Sequence, residues 1–225
     1  MSKAKFKLVF FGDSFMACPG LSNHDRWPVI VMDRLRSSLA GRAELTAIER
    51  TRAADTTRTA LERMQMEVQF EEPDILVAQF GTNDSTYLLS NRGVPLVSRA
   101  AFRANICEMI VRAWTFGTRR MLFVTNHQVA LDRFDINGKT PSENTDDYHD
   151  IVRSICADEG VHLADMARAS RKFAPAQLCQ SDRIHVNETG SQLYADVVGE
   201  MLGRIVDGLM LLRDRRPPPH DVERA

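Results

Sequence analysis

Apolar runs of strand length alternate along this chain with longer stretches in which apolar residues recur every three or four positions. Residues 5–11, 43–49, 74–80, 120–126 and a short 160–163 read as strands. The runs Leu8-Val9-Phe10-Phe11 and Ile75-Leu76-Val77-Ala78 have no polar alternation, the mark of strands buried on both faces. Helical spacing runs over about 26–40, 55–70, 98–117, 143–159 and 187–212. In the last, Val186, Leu193, Val197, Val198, Leu202, Ile205 and Leu209 form the apolar stripe, and Asn187 with Thr189 and Gly190 supplies a capped entry. Such alternation predicts a parallel sheet covered by helices on both faces.

Two long connections interrupt the pattern. One runs from Ser85 to Val97 with turn signals at Asn91-Arg92-Gly93 and Pro95; the other runs from Gln128 to Asp147 through Asn137-Gly138-Lys139-Thr140-Pro141. Both follow the carboxyl end of an expected strand, so both can wall a ligand pocket. The expected layout is one domain over 1–214 and a disordered tail over 215–225, beginning at Arg215-Arg216-Pro217-Pro218-Pro219.

Totals narrow the function classes. A net charge of −1, with arginines dispersed among acids, gives no electrostatic footprint for nucleic acid. None of the four cysteines forms a C-x-x-C pair, so neither a zinc ribbon nor a thioredoxin-type site is supported. Cys107 and Cys156 fall in apolar helical patterns and read as buried thiols, and Cys18 reads as structural. The basic start Met-Ser-Lys-Ala-Lys-Phe-Lys precedes an apolar run too short for a signal peptide or a membrane span, which reads as a cytoplasmic protein without stable membrane insertion. There is no H-E-x-x-H, P-loop or glycine-rich dinucleotide string, so the expected cofactor is none and the expected metal is none. Homo-oligomer formation is left open.

Chemistry concentrates in three strings: Gly12-Asp13-Ser14, Gly81-Thr82-Asn83-Asp84 and Asp182-Arg183-Ile184-His185. The first two sit where apolar strands end, the edge at which open α/β sheets bind ligands. Ser14 is a nucleophile candidate, or otherwise a helix N-cap. His185 is the candidate general base and then acid, with Asp182 placed to hold its ring. Asn83 can donate to a developing oxyanion, Gly81 allows a sharp approach of the backbone, and Asp84 and Asp13 are supporting residues. The G-x-S-x-G elbow of the α/β-hydrolases occurs nowhere in the chain.

These strings, in this order from Gly12 to His185, resemble the SGNH (GDSL-type) hydrolases, named for Ser, Gly, Asn and His in four blocks. The resemblance implies a flavodoxin-like three-layer α/β/α sandwich with a five-stranded parallel sheet in the order 2-1-3-4-5. It also implies a serine esterase working through an acyl-enzyme on Ser14. The family's glycine block has its counterpart in Arg52-Ala53-Ala54-Asp55-Thr56-Thr57, so Ala54 stands where glycine is usual. The implied oxyanion hole is then the backbone N–H groups of Ser14 and Ala54 with the Asn83 side chain. Either the backbone at Ala54 is regular or the hole is weakened, because alanine enters positive φ at a cost. Asn126 and His127, at the end of the fourth strand, are candidates for substrate contact or loop anchoring. Arg52 and Arg92 are candidates to neutralise an anionic substrate.

The expected substrate is a small-molecule ester of a small or medium acyl group, such as O-acetyl on a sugar or metabolite. Three alternatives stand beside it. One is a lysophospholipase or thioesterase with Phe15, Met16, Leu88, Leu89 and Val94 along an acyl tunnel. The others are an acyltransferase and a non-catalytic binding module on the same scaffold, the last favoured only by Ala54.

Overall fold

The structure is a computed structural model that describes residues 3–212; the tail expected over 215–225 lies outside the described residues. Five strands, β1 (Ala4–Gly12), β2 (Ala43–Thr51), β3 (Ile75–Gln79), β4 (Arg120–Val124) and β5 (His162–Ala164), form one parallel sheet in the order β2-β1-β3-β4-β5. The helices are α1 (Ser14–Ala17), α2 (Trp27–Ser38), α3 (Thr57–Met64), α4 (Arg99–Thr115), α5 (Pro141–Glu159), α6 (Met166–Ser170), α7 (Pro175–Leu178) and α8 (Glu188–Leu211). This is the three-layer α/β/α sandwich and strand order that the resemblance implied.

The period-two geometry of β1 divides the core. Phe6, Leu8 and Phe10 point to one face, where α2 and α8 cover them; Val9 and Phe11 point to the other, under α3, α4 and α5. Both sets are fully or nearly fully buried, which is why this strand reads as an unbroken apolar run. Removing each such side chain from water contributes roughly 1.5–3 kcal/mol.

Local signals set the helix ends. Thr56 and Thr59 form a capping box at the start of α3, and Thr140 with Glu143 forms one at α5. The Asn187 side chain accepts from Gly190 N at 2.9 Å and starts α8 as expected. The stretch expected as one helix over 55–70 is α3 followed by a π-helical turn at Gln65–Gln69. β5 begins at residue 162 rather than 160, because Gly160, at φ 64°, closes α5 in the left-handed conformation. Cys156 is buried as expected, whereas Cys107 is only half-buried. No helix among the described residues is long and apolar enough to cross a membrane.

All strands point the same way, so their carboxyl ends share one edge. β1 runs into Ser14, β2 into the 52–56 loop and β3 into Gly81-Thr82-Asn83-Asp84.

Candidate active site

Ser14 opens α1, a single turn between β1 and a left-handed Cys18 at φ 49°. The cap is Asp13, whose Oδ1 accepts from Phe15 N at 2.8 Å, so the serine hydroxyl is not spent on capping. Ser14 lines a cavity of about 510 Å³ together with His185, Asn83, Thr82 and Ala54. The three strings separated by up to 173 positions in the sequence (Gly12 to His185) thus meet on one wall.

His185 is set by a turn held from several sides. Asp182 Oδ1 accepts from the backbone N–H groups of Ile184 at 2.9 Å and His185 at 3.0 Å, and Oδ2 lies 2.6 Å from His185 Nδ1. Some burial opposes ionisation of Asp182, but these N–H groups and the imidazole outweigh it and hold its pKa below the usual carboxylate value. An ionised carboxylate only accepts, so Nδ1 carries a hydrogen, and in the neutral ring Nε2 is the acceptor. Nε2 is buried and has no hydrogen-bond partner among the described residues. Ser14 Oγ is not hydrogen-bonded to it; both residues line the same cavity. Such bonds often tighten only when substrate is bound.

His127 and Asn126 lie behind this wall and do not line the cavity, so neither is placed for substrate contact. His127 Nε2 donates to the Ile184 carbonyl at 2.9 Å, while Nδ1 lies 3.0 Å from the Tyr194 hydroxyl. Tyr194 also accepts from Gln79 Nε2 at 3.1 Å and from His127 N at 3.0 Å, so its own proton goes to Nδ1. Burial lowers the His127 pKa to about 4 and keeps the ring neutral, as this bonding requires. His127 is therefore an anchor for the segment that carries His185. Asn126 is wholly buried beneath Gly81, with neither amide atom partnered among the described residues.

The side expected to hold an oxyanion is built differently. Gly81 has φ 136°, a conformation open to glycine alone at ordinary cost, and it turns the chain after β3. Asn83 Nδ2 donates to Asp13 Oδ2 at 3.0 Å and to the Asp55 carbonyl at 2.9 Å. Both Nδ2 hydrogens thus have acceptors, one of them the Asp13 carboxyl. Burial first, then the carboxylates of Asp84 and Asp55, raise the Asp13 pKa to about 8 against the opposing pull of Phe15 N–H and Asn83. A neutral Asp13 puts no negative charge beside the Asn83 amide. Asp84 also has a raised pKa, about 6, chiefly from burial; its Oδ1 accepts from Thr57 N at 2.9 Å and Thr57 Oγ1 at 2.5 Å. It thus ties the Asn83 loop to the first turn of α3.

Ala54 lines the cavity at φ 57°. The backbone here is not regular: alanine adopts the left-handed conformation that the family's glycine would take, at a cost of roughly 1–2 kcal/mol. A turn spans it, Asp55 N donating to the Arg52 carbonyl at 3.3 Å, and Arg63 of α3, buried on the apolar side of the helix, bonds to the chain on either side of that turn. Arg63 Nε donates to Asp55 Oδ2 at 2.7 Å, Nη1 to the Arg50 carbonyl at 3.1 Å and Nη2 to the Gly12 carbonyl at 3.1 Å.

Arg52 and Arg92 do not line the cavity; Arg52 instead faces Glu67 at 3.6 Å. The charged residues that do line it, Arg133 and Asp135, were not singled out from the sequence. Their signal is alternation: Val129, Leu131, Arg133 and Asp135 face the cavity from a non-helical stretch in which every second side chain points inward. Of the residues expected along an acyl tunnel, only Phe15 lines the cavity. Met16 is buried in the core under α2 and α8, and Leu88, Leu89 and Val94 are exposed.

Residues 10–193 match the model of the GDSL-like lipase/acylhydrolase family. The chain belongs to that family. It is an ester-hydrolysing serine hydrolase. Among solved structures this GDSL-like chain is similar to a lipase/acylhydrolase from Enterococcus faecalis, with TM-score 0.69, 22% identity and coverage of 91% of this chain and 96% of that one. It is similar to LAE5, an alpha/beta hydrolase from the metagenome of Lake Arreo, with TM-score 0.73, 22% identity and coverage of 90% and 97%. It is also similar to Axe2, an acetylxylan esterase from Geobacillus stearothermophilus, with TM-score 0.71, 16% identity and coverage of 89% and 95%. At these identities the likenesses establish the shared fold. No curated protein matches the chain.

Proposed function

We propose that this GDSL-like hydrolase cleaves esters of small or medium acyl groups through an acyl-enzyme on Ser14. The observation that carries the reading is the His185 ring. Asp182 fixes it as the Nδ1–H tautomer, and its free Nε2 belongs to a residue that lines the same cavity as Ser14 and Asn83. Nε2 takes the Ser14 proton as Oγ attacks the ester carbonyl. The oxyanion rests on the N–H groups of Ser14 and Ala54 and on Asn83 Nδ2. The imidazolium then protonates the departing alkoxide. Water, deprotonated by the same nitrogen, releases the acid and restores Ser14.

Two features support a short acyl group and a polar alcohol. Exposed Leu88, Leu89 and Val94 offer no enclosed path for a long chain. The segment bearing Val129, Leu131, Arg133 and Asp135 lines the cavity beside the His185 turn, where Ala130 N bonds to the Arg183 carbonyl at 2.8 Å, and is the wall available to the departing alcohol. A wall that joins apolar Val129 and Leu131 to charged Arg133 and Asp135 suits an acetylated sugar or similar metabolite, the chemistry named for Axe2.

The test is hydrolysis of p-nitrophenyl esters from acetyl to dodecanoyl and of acetylated oligosaccharides, with Ser14→Ala alongside. Ser14-dependent turnover with an optimum at short acyl chains is expected. Turnover that survives Ser14→Ala would overturn the nucleophile, and an optimum at long chains would overturn the substrate class.

A further inference from the structure

We infer that Arg63 is the positioning residue of the oxyanion hole, a single buried guanidinium that sets the three donor segments relative to one another. This rests on the reading of Ser14, Ala54 and Asn83 as those donors. The three come from different strand ends, and no local sequence signal fixes their mutual spacing. Arg63 bonds directly to the segments that carry two of them and reaches the third through Asp55. Its Nη2 donates to the Gly12 carbonyl, two residues before Ser14, at 3.1 Å. Its Nη1 donates to the Arg50 carbonyl at 3.1 Å, where β2 enters the Ala54 loop. Its Nε and Nη2 grip the Asp55 carboxylate at 2.7 and 2.5 Å, immediately after Ala54. The Asp55 carbonyl in turn accepts from Asn83 Nδ2 at 2.9 Å, which extends the tie to the third donor.

The surroundings fix the guanidinium itself. Glu67, one turn further along, pairs with Nη1, and the Phe11 ring lies 4.2 Å beneath Cζ. Arg63 does not line the cavity and cannot touch substrate, so its effect reaches the reaction only through the donors it places. Only arginine has five donors in a rigid planar fork; lysine at this site could satisfy the Asp55 carboxylate or the two carbonyls, but not all of them. A strained non-glycine conformation such as that of Ala54 persists only where its surroundings over-determine it; the turn bond from Asp55 N to the Arg52 carbonyl at 3.3 Å, the Asn83 bond to the Asp55 carbonyl at 2.9 Å and the Arg63–Asp55 pair do so together.

The experiment compares Arg63→Lys, Arg63→Ala and Asp55→Asn with the parent in p-nitrophenyl acetate hydrolysis. Rates are expressed per active site titrated with a fluorophosphonate, in both Asn83 and Asn83→Ala backgrounds. Misplaced donors act on the transition state, so kcat per titrated site should fall at least about tenfold in Arg63→Lys with KM within about twofold. With Asn83 already truncated, the same change should cost less than about threefold, because the two act through one hole. Guanidinium ion at millimolar concentration should restore part of the activity of Arg63→Ala. If kcat per titrated site is unchanged, or if the losses multiply independently of Asn83, Arg63 only stabilises the fold and the inference is overturned. Should Arg63→Ala not fold, Arg63→Lys and Asp55→Asn carry the test. Failure of the esterase reading looks different: the parent itself would show neither Ser14-dependent labelling nor Ser14-dependent turnover.

Discussion

The two halves of the candidate site are made to different specifications. On the oxyanion side the groups that do the holding are buried, with side-chain exposure of 6% for Arg63 and 0% for Asp55, and bonds cross between three strand ends. On the histidine side the holding group is near the surface: Asp182 has 44% and His185 20% of its side chain exposed, and the turn is short-range in sequence. The contrast matches the chemistry. Donors that stabilise a charge work best when they are fixed beforehand in a place that water does not reach. A proton carrier must serve first the serine, then the alcohol, then water, so a turn anchored at its backbone and free at Nε2 is suited to it. His127 and Gln180 supply that anchoring through the carbonyls of Ile184, at 2.9 Å, and Val186, at 2.7 Å.

The sharpest way to break this comparison is to disable each half singly. Asp182→Asn leaves the turn in place but removes the acceptor that fixes the Nδ1–H tautomer, and should lower kcat by about 10⁴-fold. Asn83→Ala removes one donor from the other half and should lower kcat by about 10²–10³-fold with little change in KM. Steady-state kinetics on p-nitrophenyl acetate measures both. An unchanged kcat in Asn83→Ala would remove that side chain from the oxyanion hole.

A smaller effect comes from pH. Asp13 is neutral below its pKa of about 8 and acquires a charge above it, 3.0 Å from the Asn83 amide. That charge would oppose the oxyanion and draw the amide away, so kcat should decline as pH rises through about 8. Its stability contribution has the same direction. The folded pKa is raised from 3.8, so the contribution is full below 3.8 and is lost as pH rises through about 8. A rate profile between about pH 6 and 10, with thermal melting followed in parallel, separates the two, and a kcat that stays level up to about pH 9.5 would rule out a role for Asp13 ionisation.

The smallest change expected is at Ala54. Glycine there relieves the left-handed strain while keeping the N–H, so activity should be equal to the parent or up to about threefold higher. A collapse of activity would mean that the 52–56 loop does not contribute to the hole. Comparing Ala54→Gly in the Arg63→Lys background sharpens the point: glycine should then recover little, since relaxed backbone does not restore the lost spacing.

Much of this was legible in the linear chain because it is local. The strand runs, the Asn187 cap and the three-residue spacing of Asp182 and His185 all depend on neighbours within one or two turns; all five strands are present, with their ends shifted by two residues or fewer. Ser14 and Asn83 were legible because each sits at the end of an apolar run, and a parallel sheet brings such ends to one edge whatever its detailed packing. Cavity contact for Asn126 and His127 was not legible. A strand-end histidine has the same sequence appearance whether it meets ligand or carbonyl, and only the Tyr194 hydroxyl, 67 positions away, decides it.

By itself, then, the sequence determined the sheet, the candidate nucleophile, base and oxyanion donor, and the family to which they belong, because these follow from hydrophobic period and short spacing. Only the tertiary structure decided the sign of φ at Ala54, the neutrality of Asp13, the alternation that turns Arg133 and Asp135 into the cavity, and the reach of Arg63 across 51 positions to Gly12. Each of these depends on burial or on contacts between distant segments. The free energy of such contacts resides in the low dielectric and close packing of the folded interior, which no window of neighbouring residues contains.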